Sequence, residues 1–110
     1  MRETGNTING VSASVAQQIE REILAFKRPE KIVIFGSRAT GDFKNTSDID
    51  IAVFAESWSD KDINLVKNRL DERVKTPLKF DLVNFYAVSK ERLRKNILEN
   101  GRTIYESPKN

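Results

Sequence analysis

The chain contains no cysteine and no histidine. Without thiols it forms no disulfides, and without thiolate or imidazole ligands a zinc site is nearly excluded. The missing histidine also removes the commonest general base, so proton transfer falls to carboxylates. Aromatic residues make up only 8% of the chain and do not interleave with the basic ones as in single-strand binders. No apolar run approaches the roughly 20 residues that span a bilayer. Residues 1–10 are polar and lack the apolar segment of a secretory signal, so the Asn45-Thr46-Ser47 sequon carries no meaning. A cytoplasmic protein is the expectation.

What is present is charge of both signs. Nineteen basic and sixteen acidic residues leave a net charge of +3, and charged side chains are 32% of the whole. The basic residues are scattered along helical segments rather than clustered, which reads as solvated surface, and direct nucleic-acid binding is not expected. A length of 110 residues supports one domain with one modest core. That domain is expected over 11–106, after a loose N-terminal segment at 1–10 and before a polar tail at 107–110.

Apolar periodicity orders the elements. Val11, Val15, Ile19, Ile23 and Phe26 form one helical stripe, with Ser14 and Gln17 as a candidate capping box and Pro29 as the stop. A β-branched strand follows over 31–35, then a turn or brief helix over 36–41 and a polar loop over 42–47. A second strand is expected over 48–54. The next helix carries Ile63, Val66, Leu70 and Val74 on one face, with Ser59 and Asp62 as its cap pair. A third strand is expected over 79–85. A charged helix over 89–100 then turns Leu93, Ile97 and Leu98 inward and ends at Asn100-Gly101. Residues 102–105 can add a last short strand. The order gives an α/β or α+β fold with a small sheet covered by helices. Trp58, in the loop after the second strand, is read as a cover for the core.

The second strand carries the chemistry. Asp48 and Asp50 are two apart, so period-two alternation points them to one side. Two like charges that close repel, and aspartate is a poor strand former. A divalent cation offsets that cost, and Mg²⁺ suits one or two carboxylates completed by water and phosphate. Upstream, Gly36-Ser37 ends the first strand in a small-residue turn whose backbone N–H groups suit an anion. Metal beside a phosphate cradle points to nucleotide chemistry.

Phe35-Gly36-Ser37-Arg38-Ala39-Thr40-Gly41-Asp42 followed by Ser47-Asp48-Ile49-Asp50-Ile51 resembles the signature of minimal nucleotidyltransferase domains of the DNA polymerase β-like superfamily. The resemblance runs from about residue 31 to residue 105. It implies a nucleotidyltransferase palm with a small mixed β-sheet flanked by helices. It also implies a third carboxylate from a later strand, which Asp81 in Lys79-Phe80-Asp81-Leu82-Val83 matches. Asp48, Asp50 and Asp81 are then the catalytic and metal-binding residues, with two Mg²⁺ ions expected. Gly36, Ser37, Arg38 and Lys44 are the candidate nucleotide-binding residues, and Asp42 reads as a turn residue. One departure stands out: many members carry arginine before the second glycine, where this chain has Thr40.

The resemblance implies transfer of AMP from ATP to a hydroxyl group, with loss of pyrophosphate. At this length no separate acceptor domain is expected. Minimal members pair with small helical HEPN-type proteins, and in toxin–antitoxin systems the acceptor is a tyrosine of the toxin. A contact-only antitoxin and a subunit acting on a small hydroxylated compound are the alternatives.

Overall fold

The computed structural model describes residues 11–41 and 48–108. The polar loop expected over 42–47, including Asp42 and Lys44, lies outside the described residues. So does the N-terminal segment 1–10.

Helix α1 spans Ala13–Phe26, and its first turn is capped two residues earlier than the sequence suggests. Ser12 is the N-cap, its hydroxyl accepting from the Val15 backbone N–H. Ser14 lies inside the helix instead, where its hydroxyl accepts from the Gln18 amide. Serine is a good cap wherever the chain leaves the extended conformation, so two serines in Ser12-Ala13-Ser14 compete and backbone geometry decides. Strand β1 (Lys31–Phe35) follows, then the single-turn helix α2 (Ser37–Thr40) and strand β2 (Ile49–Phe54).

Helix α3 (Asp60–Arg73) starts with the expected reciprocal box. Ser59 accepts from the Asp62 N–H at 3.2 Å, and Asp62 accepts from the Ser59 N–H at 2.9 Å. Strand β3 covers Phe80–Asn84, one residue short of the expectation at each end. It stops because Asn84 folds back as the cap of a 3₁₀ turn over Phe85–Ala87. The Asn84 amide donates to the Ala55 carbonyl at 2.7 Å, and its oxygen accepts from the Tyr86 N–H at 3.2 Å. Helix α4 (Glu91–Asn100) and strand β4 (Arg102–Glu106) complete the domain.

The four strands lie in the order β3-β2-β1-β4. Strand β1 pairs antiparallel with both β2 and β4, whereas β2 and β3 run parallel. The last strand is therefore not an appendage, since it pairs directly with β1. The parallel step is made by α3, which crosses over one face of the sheet as such connections require.

Alternation sorts the side chains into two cores. Ile32, Ile34, Ile49, Ile51, Val53, Phe80 and Leu82 face one way and pack with Ile19 and Ile23 of α1 and Val66 and Leu70 of α3. Trp58 closes this layer, set edge-on to Phe26 with centroids 5.6 Å apart. Val33, Phe35, Ala52 and Phe54 face the other way, with Phe85 of the 3₁₀ turn and Ile97 of α4. Leu98 does not join them: it is 61% exposed, because Ile97 already fills the inward position and the next residue is rotated by 100°. Gly101 ends α4 in an extended conformation, not a left-handed one. Glycine is needed there for closeness, since a Cβ would meet the Val33 side chain and the Ile97 carbonyl.

Candidate active site

The parallel pairing of β2 and β3 sets Asp50 directly beside Asp81 in register. Both follow the alternation of their strands onto the α4 side of the sheet, Asp50 with Ala52 and Phe54, Asp81 with Val83. Asp48 lies one residue before β2 begins, where the adjacent Ile49 N–H donates to the Lys79 carbonyl at 2.9 Å. The ladder thus continues to the edge of the acidic row.

On the other side of Asp50 stands Phe35, its antiparallel partner and the last residue of β1. Immediately after it the chain turns at Gly36, with φ of 78° and ψ of −155°, a conformation open in practice only to glycine. The Asp50 carboxylate occupies the space that a Cβ on Gly36 would take.

Burial and like charge act together on this group. The Asp50 pKa is raised from 3.8 to about 6, first by desolvation and then by the negative charges of Asp81 and Asp48. Asp48 and Asp81 themselves are exposed. The charges of Asp48 and Asp81 both act on Asp50, and such a concentration of negative charge fits a divalent cation. Among the described residues no group of three or more acidic side chains is gathered closely enough to hold a metal ion by itself. Mg²⁺ does not need one, because it takes one or two carboxylates and fills its shell with phosphate and water oxygens.

The expected nucleotide-binding residues fare unevenly. Ser37 does not cap α2; Gly36 holds the N-cap position, and no side-chain cap bond is made. Ser37 is half-buried at the first helical position, next to the turn. Arg38 is only 2% exposed and interacts within the protein. One helical turn places residue 38 on the inner side of α2 beside the buried Ala39, which sequence spacing over so short a helix did not reveal. Thr40, in the position of the usual arginine, turns its hydroxyl to the Gly36 and Ser37 carbonyls, both at 3.4 Å. Lys44 lies outside the described residues.

The polymerase β nucleotidyltransferase family model matches residues 17–110. The chain belongs to this family. It is a nucleotidyltransferase, and its matched region contains all three aspartates. A candidate protein adenylyltransferase from Methanocaldococcus jannaschii is 36% identical over 87 residues, covering 71% of this chain and 80% of that protein. Among solved structures, a toxin–antitoxin crystallised with AMP-PNP superposes with a TM-score of 0.72 at 21% identity, over 84% of this chain and 73% of that one. A candidate minimal nucleotidyltransferase gives 0.61 at 24% identity, over 80% and 90%. A toxin–antitoxin named MntA–HpeT, in a form with two aspartate-to-glutamate substitutions, gives 0.70 at 18% identity, over 84% and 73%. At these identities the structures establish the fold, and the family match establishes the class of reaction.

Proposed function

We propose that this nucleotidyltransferase transfers AMP from ATP to a hydroxyl side chain of a partner protein, and that it acts as the antitoxin of a small helical HEPN-type toxin with a tyrosine acceptor. The observation that carries the chemistry is the in-register pair Asp50 and Asp81 with Asp48 at the strand edge. The choice of a protein acceptor rests on the 36% identical relative from Methanocaldococcus jannaschii. The toxin partner rests on the fold shared with toxin–antitoxin structures.

Asp48 and Asp50 would hold Mg²⁺, with Asp81 as the third ligand and two ions in all. When bound, Mg²⁺ neutralises the triphosphate and stabilises the charge of the departing pyrophosphate. The residues of the chain then divide the work. The row formed by Phe35, Asp50 and Asp81 fixes the carboxylates on rigid paired strands, so little ordering remains to be done at the moment of reaction. Asp81 is exposed and stands on the edge strand, within reach of a hydroxyl brought from outside. Its carboxylate accepts the hydroxyl proton as that oxygen attacks the α-phosphorus. The bond from the α-phosphorus to the pyrophosphate oxygen breaks in line. The backbone N–H groups of the Gly36-Ser37 turn, beside Asp50, would receive the phosphates.

The test is incubation with ATP, Mg²⁺ and a HEPN-type protein from the same organism, followed by intact-mass analysis of both proteins. Gain of one or more AMP groups by the partner, on tyrosine, is the expected result. Complex formation with no gain of mass would favour a contact-only antitoxin. No complex and no gain would turn the search to small hydroxylated acceptors.

A further inference from the structure

Gly36 belongs to the glycine-serine turn that the sequence assigns to the nucleotide. The geometry points to a different duty: we infer that Gly36 is a positioning residue for the Asp50 carboxylate, leaving open the pocket of space in which that group is held. An ideal Cβ on Gly36 would fall on Asp50 Oδ2, and would stand 3.3 Å from its Cγ and 3.5 Å from its Cβ. The three nearest atoms all belong to that one side chain, so Asp50 is the group that a side chain at 36 would meet first.

The arrangement follows from the register. Phe35 pairs with Asp50, and the chain turns at the next residue, which brings the Gly36 backbone across the front of β2. Any side chain at 36 would compete with the Asp50 carboxylate, which stands in register beside Asp81. A methyl group there would swing the Asp50 carboxylate into another rotamer, away from the place it shares with Asp81. The left-handed φ of 78° adds strain to any substitution. That strain is independent of Asp50, whereas the crowding is not.

This difference supplies the test, and only its metal arm rests on the proposed function. Gly36→Ala, Asp50→Ala and the double variant are compared with wild type in a double-mutant cycle. Mn²⁺ alone, followed by electron paramagnetic resonance, is the metal probe, and chemical denaturation is the stability probe. Gly36→Ala that folds should weaken Mn²⁺ binding about 10-fold or more, and should add no further loss in the Asp50→Ala background. Unchanged affinity in folded Gly36→Ala, or equal losses in both backgrounds, would overturn the inference. If Gly36→Ala does not fold, recovery of folding with Asp50→Ala but not with Asp50→Asn supports it, because both remove the destabilising charge and only the first removes the crowding, whereas recovery with both overturns it. Failure to fold in both backgrounds overturns it. Undiminished Mn²⁺ binding by Asp50→Ala would remove the metal assignment instead, and the stability cycle would still judge Gly36.

Discussion

Replacing Asp50 by asparagine should stabilise the metal-free protein at neutral pH, although it removes a residue placed at the centre of the site. The Asp50 pKa rises from 3.8 to about 6 in the fold, so the folded state binds the proton more tightly than the unfolded chain does. The stability of the wild type therefore falls as pH climbs from near 3.8 towards 6, and the full penalty is present above that range. A shift of about two units corresponds to about 3 kcal/mol as a ceiling. Asp50 is itself only half-buried, so water relieves part of its desolvation and screens the charges of Asp81 and Asp48, and about 1–2 kcal/mol is the realistic gain for Asp50→Asn at pH 7.5. For a domain of this size that is roughly 4–12 °C in melting temperature. The assay is thermal and urea unfolding followed by circular dichroism, in chelator-treated buffer, at pH 4 and pH 7.5. Other carboxylates contribute equally to both proteins, so the difference between them is the quantity to follow. It should be close to zero at the lower pH and favour the variant at the higher. Added Mg²⁺ should narrow the gap, since only the wild type gains from binding. A variant less stable than wild type at pH 7.5, or a gap indifferent to pH, would refute the reasoning.

Asp81→Asn should retain most nucleotide affinity, because Asp48 and Asp50 remain, while transfer in the presence of the acceptor falls about 10²-fold; pyrophosphate release checks it. Ser59→Ala removes one half of the reciprocal cap on α3 and should cost about 1 kcal/mol in urea unfolding, with nucleotide binding unchanged. Asn84→Leu strands the Ala55 carbonyl and the Tyr86 N–H that the amide now satisfies, and should destabilise by about 1–3 kcal/mol in the same assay. Leu98→Lys, at a position 61% exposed, should move the unfolding midpoint by no more than about 0.5 kcal/mol equivalent, which separates it from a core substitution such as Ile97→Ala at about 2–5 kcal/mol.

Local patterning along the chain specifies most of the elements and the class of chemistry. The apolar runs at 32–34 and 51–53 read as strands of a sheet covered by helices, and the structure pairs them as neighbours with apolar side chains packed on both faces. The Ser59–Asp62 box is legible because its two bonds join residues three apart in the chain. The spacing of Asp48 and Asp50 predicts a common direction for two acids on a strand over 48–54, but β2 begins only at Ile49 and leaves Asp48 outside its alternation. The structure alone decided what depends on contacts between segments far apart in the chain. The pairing of Asp50 with Asp81 is a matter of parallel register across α3, and thirty residues of intervening sequence do not encode it locally. Burial of Arg38 depends on which side of a single helical turn meets the sheet, and four residues are too few for periodicity to tell. Leu98 looked inward because leucines at helical spacing usually are, and only the place already taken by Ile97 turns it out. The glycine at 36 reads in the sequence as room for a ligand. In the fold it is room for a carboxylate from the neighbouring strand, because antiparallel register brings Asp50 beside the residue just before the turn.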